Sequence, residues 1–358
     1  MKSQSLPNNK AQPLGWINNL RLIALFAVIM LHCSSPLLAD YGKAPYNQWL
    51  AADFYNALTR FAVPVFVMIT GALLLGKEED VFVFLKKRLG RVVAPFLFWS
   101  LVYVAYAFYI DEIPYTGHAW VTVKQVLHQL KYGSSYHLWY VYMLIGLYLI
   151  IPVLGKFIRN ASQKETIYFL AVWLLVMLFS QPYLMRYNPQ VDVRYFGGYI
   201  GYLVLGYYLA NKVFNSSRMV ILMALLFVLS VGLITLGTAM LYHYYNGIST
   251  LMYEPLSWPV VLLSSSAFLL MRFAQPKVSP VLIRVRDLVC KYNYGIYLGH
   301  ALILTLLDDP DLTGFSLSYK SFNPFVSIPV TAFVCFALTL LMVYLINKIP
   351  FIGKYISG

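Results

Sequence analysis

Charge is scarce in this chain, and negative charge is scarcest of all. Only 11% of its 358 residues are charged, and 14 of them are Asp or Glu. A soluble domain carries about twice that share of charge, so a soluble globular body is excluded. Cysteine is nearly absent: Cys33, Cys290 and Cys335 each lie in or beside an apolar run. None falls in an outer loop, so no structural disulfide is expected, and no zinc-ligand spacing exists. The chain has no G-x-S-x-G elbow, no P-loop and no H-E-x-x-H motif, so the familiar hydrolase, ATPase and zincin equipment is missing. It also lacks low-complexity tracts and a clear internal repeat. The missing repeat weighs against a transporter built from duplicated halves.

What is abundant is apolar sequence, at 60% hydrophobic and 17% aromatic. Apolar runs recur at 20–39, 50–75, 90–110, 136–155, 166–181, 195–211, 219–241, 256–272, 292–307 and 324–347. Crossing a bilayer core as a helix takes about 20 residues. The expected fold is therefore all-α: a polytopic integral membrane protein of about ten transmembrane helices. The first run continues beyond signal-peptide length with no cleavage site after "SSPLLAD". It reads as an uncleaved helix behind a short cytoplasmic tail, residues 1–18.

The net charge of +13 raises the question of nucleic acid, but its distribution answers otherwise. With the N-terminus inside, twenty of the 27 Lys and Arg fall in inner segments, six in outer segments, and Arg60 within a span. That bias is the positive-inside pattern. It places both termini in the cytoplasm and predicts no nucleic-acid partner.

Ionisable groups within spans are functional hypotheses by default. The stretch "RLIALFAVIMLH" puts Arg21 and His32 eleven residues apart. That spacing turns a helix by about 1100°, three turns and a small remainder, and rises about 16 Å. Both side chains thus share a face, with a cation at the cytoplasmic headgroup level and a titratable base near mid-bilayer. The plainer reading is a snorkelling arginine and a structural histidine. Arg88 and Arg91, three apart, share a face at the start of the third span. They suit either anionic headgroups or the phosphates of a ligand. Arg60 lies about ten residues deep and needs a cavity or a carboxylate. Asp53, two turns earlier, offers one, and a structural Arg60–Asp53 contact is the plain alternative. Pro64 and Gly71 predict a kink and a close backbone approach.

Further along, His137 and Trp139 open the fourth span, Glu254 sits at the mouth of the eighth, and His300 lies inside the ninth. Aromatic belts account for many of the neighbouring Trp and Tyr residues. His118, His128 and His243 read as solvated loop residues. Asp308, Asp309 and Asp311 form an acidic patch without the EF-hand pattern, so no metal site is expected.

Taken together, these residues resemble a known family, the membrane acyltransferase family 3. The first-helix Arg and His of that family match Arg21 and His32 within "NNLRLIALFAVIMLH". "RFAVPVFVMITGALLL" from Arg60 resembles its second span. Arg88, Arg91 and Pro95 match the Arg-x-x-Arg and proline of its third. "HLWYVYML" and "YGIYLGH" resemble its fourth and ninth spans. Leu22 stands where many members have Gly, and Thr70 replaces the common Ser before Gly71. Both changes are mild. The resemblance runs over essentially the whole chain and implies one acyltransferase domain spanning 1–358.

The resemblance also implies an activity: transfer of an acyl group, acetyl first among candidates, from cytoplasmic acyl-CoA to a hydroxyl at the outer face. No extracytoplasmic hydrolase-like domain is appended. The layout is therefore similar to that of enzymes acetylating surface glycans or their lipid-linked precursors, in the inner (plasma) membrane. In that scheme His32 is catalytic, and Arg21, Arg88 and Arg91 hold the CoA phosphates. Arg60, Asp53, His137, Trp139, Glu254 and His300 serve the oxyanion or the acceptor side. Acetyl-CoA is a donor substrate, and no permanently bound cofactor is expected. The expected partners are acyl-CoA, a glycan acceptor and the lipid bilayer, and the oligomeric state stays open. The rival readings are an exporter of a glycan or its lipid-linked precursor, and a structural subunit of an envelope-assembly complex.

Overall fold

A computed structural model describes residues 15–179, 198–214, 218–274, 278–351 and 353–357. The first fourteen residues of the expected tail lie outside that set. So do Arg186, Arg194 and Lys277, which entered the charge distribution. The described residues are helical almost throughout, with no strand among them. In chain order the helices are α1 (Gly15–Ala39), α2 (Tyr46–Thr59), α3 (Ala62–Leu74), α4 (Val81–Tyr109), α5 (Ala119–Tyr132), α6 (Trp139–Asn160) and α7 (Gln163–Phe179). There follow α8 (Ile200–Asn211), α9 (Met219–Tyr245), a 3₁₀ turn (Leu251–Tyr253), α10 (Trp258–Ala274), α11 (Pro280–Asp308), α12 (Pro310–Thr313), α13 (Pro324–Asn347) and α14 (Gly353–Ile356).

Seven segments among the described residues are long and apolar enough to cross a membrane: Gly15–Ala39, Tyr46–Leu74, Val81–Tyr109, Trp139–Asn160, Met219–Tyr245, Leu251–Ala274 and Pro324–Asn347. The other three expected spans fall on α7, α8 and α11. Helix α7 stops at Phe179, where description ends, and α8 has 12 residues. The first half of α11 carries Arg284, Arg286, Asp287 and Lys291, which lowers its hydropathy.

Local chemistry sets several boundaries. Asp80 caps α4, its carboxylate accepting from the backbone N–H groups of Phe82 and Val83, which satisfies donors that a helix start leaves open. Ser162 and Glu165 form a reciprocal capping box at α7, with Ser162 N–H to Glu165 at 2.6 Å and Glu165 N–H to Ser162 Oγ at 3.3 Å. The expected kink in the second span falls at Arg60–Phe61, between α2 and α3. Pro64 supplies the reason. It has no N–H for the carbonyl four residues earlier, that of Arg60, and its ring crowds that carbonyl.

The chain divides into two compact units. The first comprises Met1–Glu78, Ile151–Cys290 and Ser318–Ala332. Helices α3 and α8 pack closely in it, and glycine makes the approach possible. A Cβ on Gly71 would stand 1.9 Å from the carbonyl oxygen of Leu203, and one on Gly206 would stand 2.1 Å from that of Met68. The close approach expected at Gly71 is therefore real. At the far end of α1, the Trp49 indole N–H donates to the Leu38 carbonyl at 3.0 Å and ties α2 to α1.

The second unit comprises Glu79–Ile150, Lys291–Leu317 and Phe333–Gly358. The short α14 is held to α4 by the Trp99 indole N–H, which donates to the Ile356 carbonyl at 3.0 Å. Gly295 lets the chain pass close to Ser357, whose carbonyl oxygen lies 2.2 Å from where a Cβ would sit.

Candidate active site

Within the first unit, α1 carries Arg21 and His32, and both side chains are half-buried. The same face runs through Leu25 and Val28, which are buried, so the two polar positions are separated by a packed apolar stretch. Arg21 donates to Asn18 Oδ1 one turn away, at 3.5 Å. Two residues past His32, Ser34 is fully buried and donates to the Leu31 carbonyl at 3.0 Å.

Ser34 is also one end of a buried polar chain. Its hydroxyl accepts from Asn56 Nδ2 at 2.7 Å, and Asn56 Oδ1 accepts from Arg60 Nη2 at 2.5 Å. The guanidinium of Arg60 lies 4.4 Å from the ring centroid of Tyr253, and the Tyr253 hydroxyl donates to Asp53 Oδ1. Asp53 and Arg60 therefore do not form the direct ion pair weighed from the sequence. A tyrosine stands between them, offering its hydroxyl to the anion and its negative face to the cation. Among the described residues, Asp53 Oδ2 and Arg60 Nε are buried with no hydrogen-bond partner. Glu254 follows Tyr253 but is exposed, its carboxylate accepting from Thr250 Oγ1 at 3.0 Å.

The second unit holds the other expected residues. His137 sits in the turn before α6 and His300 within α11. Both are buried, with ring centroids 4.9 Å apart. His137 Nε2 lies 3.2 Å from the Leu298 carbonyl oxygen, and its Nδ1 lies 3.1 Å from Ser135 Oγ. This is the complement of a neutral imidazole, donating at Nε2 and accepting at Nδ1. Tyr297 donates to the His137 carbonyl, and Tyr103 donates to that of Leu298 at 2.7 Å. His300 Nδ1 lies 2.6 Å from the Tyr297 carbonyl oxygen. Trp139 is exposed. At the other end of the unit, Arg88 is half-buried with its guanidinium 5.8 Å from the Phe84 ring, and Arg91 is exposed. The described residues hold no cluster of three or more His, Cys, Asp or Glu able to bind a metal.

Sequence reasoning missed Ser34, Asn56 and Tyr253. A signal existed for Asn56. Lying three residues after Asp53 and four before Arg60, it shares their helix face. Tyr253 is one of 30 tyrosines, and nothing in its neighbourhood sets it apart.

Comparison with known proteins now gives the class. The family model described as "Acyltransferase domain", acyltransferase family 3, matches residues 14–348, nearly the whole chain. The chain belongs to that family: it is an integral-membrane, multi-pass acyltransferase. No curated protein and no solved structure matches it.

Proposed function

We propose that the protein moves an acyl group, acetyl in the simplest case, from cytoplasmic acyl-CoA to a hydroxyl of a surface glycan or its lipid-linked precursor at the outer side of the inner (plasma) membrane. One observation supports this above the others: α1 presents a cation and an imidazole on one face, about 16 Å apart along the axis, both half-buried and separated by an apolar stretch. The positive-inside bias puts Arg21 on the donor side and His32 at depth.

In this scheme Arg21 neutralises CoA phosphate, and the apolar stretch at Leu25 and Val28 suits the thioester-bearing arm better than it suits water. His32 accepts the proton of the acceptor hydroxyl while that oxygen attacks the thioester carbon. The carbon–sulfur bond then breaks, and the departing thiolate of CoA takes the proton back from the imidazolium. A variant of the scheme passes the acyl group through His32 itself. Arg60, held by Asn56 and Tyr253, is the candidate for the developing oxyanion, with Asp53 fixing Tyr253. The roles of Arg88 and Arg91 as phosphate ligands, and of His137, Trp139, Glu254 and His300 on the acceptor side, rest on the family resemblance.

The test is transfer in liposomes, with labelled acetyl-CoA supplied to the reconstituted protein and a panel of glycans as acceptors. Loss of His32 as general base should cost about 10² to 10⁴ in rate, while His32→Ala stays folded and still binds acetyl-CoA. Undiminished transfer by the folded variant rules His32 out as the catalytic group.

A further inference from the structure

Past His32, α1 ends at Ala39 and the chain turns through residues 40–45 before α2. There the first unit opens into a cleft of about 630 Å³, within the usual range for small-molecule sites. Asp40, Lys43 and Gln48 line one wall, and Tyr319, Lys320 and Phe322 line the other. The wall is built rather than loose, because the Tyr319 hydroxyl donates to Asp40 Oδ2 at 3.0 Å and joins its two sides. The Tyr319 carbonyl accepts from buried Ser327 at 3.0 Å, which fixes the backbone beneath the ring.

The charge in this cleft is unbalanced. Asp40 is the one carboxylate of the lining and already serves Tyr319. Lys43 and Lys320 have no ion-pair partner among the described residues. Lys320 Nζ instead stands 5.4 Å from the centroid of the Tyr319 ring, beside the open space. Aromatic faces, two amides and two ammonium groups against one carboxylate leave the cleft with a net positive charge, which suits a hydroxylated ligand that carries negative charge. Leu37, also in the lining, is five residues beyond His32, about 7.5 Å along the helix. Those five residues also turn the helix by about 140°, so the cleft lies beyond the end of the helix that carries His32, on the side away from Arg21 along the axis.

We infer that this cleft is the acceptor subsite and that the acceptor is an acidic saccharide, a sugar carrying a carboxylate such as a uronate. The inference rests on the acyl-transfer reading for the word acceptor. The binding it predicts is independent of turnover.

The test is therefore equilibrium binding by calorimetry, with protein in nanodiscs of neutral phosphatidylcholine. The probes are oligogalacturonide, hyaluronan and sialyl oligosaccharides, each against its carboxyl-reduced neutral counterpart. At least one acidic form should bind about tenfold tighter than its neutral form, the worth of one charge-assisted hydrogen bond, and raised salt should erode the difference. Lys43→Ala/Lys320→Ala should abolish the preference, and Lys320→Glu should invert it. Both lysines are exposed, so folding should survive. Equal binding of acidic and neutral forms, no binding of any probe, or a preference that outlives the double variant overturns the inference. A lysine-dependent affinity for phosphatidylglycerol vesicles with none for saccharides also overturns it, and assigns the lysines to lipid headgroups. Acidic-sugar binding without any acetyl transfer leaves the cleft standing and sinks the acyl-transfer reading instead.

Discussion

In the first unit a half-buried guanidinium and a buried carboxyl group have a tyrosine between them; in the second, two histidines are buried against each other and against backbone carbonyls. The first arrangement holds ionisable groups, and every partner in it carries part of the cost of keeping them from water. Asn56 serves Ser34 and Arg60 at once, and Tyr253 serves Arg60 and Asp53. The second holds a ring whose two nitrogens find one donor and one acceptor, with aromatic neighbours filling the space. A charged network should therefore fail steeply when one member is removed, and a neutral one gradually.

The largest effects come from the backbone that frames each arrangement. In the first unit, Gly71→Ala drives a methyl into the Leu203 carbonyl, and neither helix can yield without losing the α3–α8 packing. We expect a loss of about 4 kcal/mol or more, in the range reserved for severe single changes, seen as no monodisperse protein on size exclusion after detergent extraction. The counterpart in the second unit is Gly299→Ala. Its methyl meets side-chain ends instead, Met342 Cε at 2.7 Å and Trp99 Cη2 at 2.9 Å. Methionine adapts to such crowding, so about 1–3 kcal/mol is expected, and the protein should remain extractable. Equal losses from the two substitutions would break the contrast.

Next in size is Tyr253→Phe. It keeps the ring face under Arg60 and removes the donor to Asp53 Oδ1, while Oδ2 already lacks a partner among the described residues. A buried acceptor left in this way costs about 1–3 kcal/mol. The measurement is thermal unfolding in detergent, completed as a double-mutant cycle with Asp53→Leu. With both polar partners gone, part of the stability should return, giving a coupling of about 1 kcal/mol or more. Additive losses would show that the tyrosine and the carboxylate do not act together.

The sequence was informative at some of these places and silent at others. Residues fixed by local rules could be read directly: the shared face of Arg21 and His32, the break ahead of Pro64 and the close approach at Gly71. Each follows from helix geometry or from what one residue type permits. The partner of Arg60 could not be read, because it lies on a segment some two hundred positions away, and a depth argument names the need without naming the neighbour. Asp53 looked sufficient because it shares the face, yet a two-turn separation is spanned more readily by a ring and its hydroxyl than by two side chains in direct contact. The cleft beside Lys43 and Lys320 was invisible for the same reason. Its walls come from residues 37–48 and 319–323, and only the fold brings them together.

The smallest expected effect is the sharpest check on the neutral side of the contrast. Ser135→Ala removes the hydroxyl facing His137 Nδ1 and leaves Nε2 on the Leu298 carbonyl. One neutral hydrogen bond is lost, no formal charge is stranded, and Ser135 is itself only half-buried, so water can replace the hydroxyl. The cost should be about 0.5–1 kcal/mol, a small shift in the unfolding midpoint. The matched change in the first unit is Asn56→Ala, which takes a partner from Arg60 and another from Ser34 in one step. It should cost at least twice as much under the same conditions. If Ser135→Ala proves the more damaging of the two, the histidine pair is held as tightly as the charged network. The contrast between a steeply failing and a gradually failing network then falls.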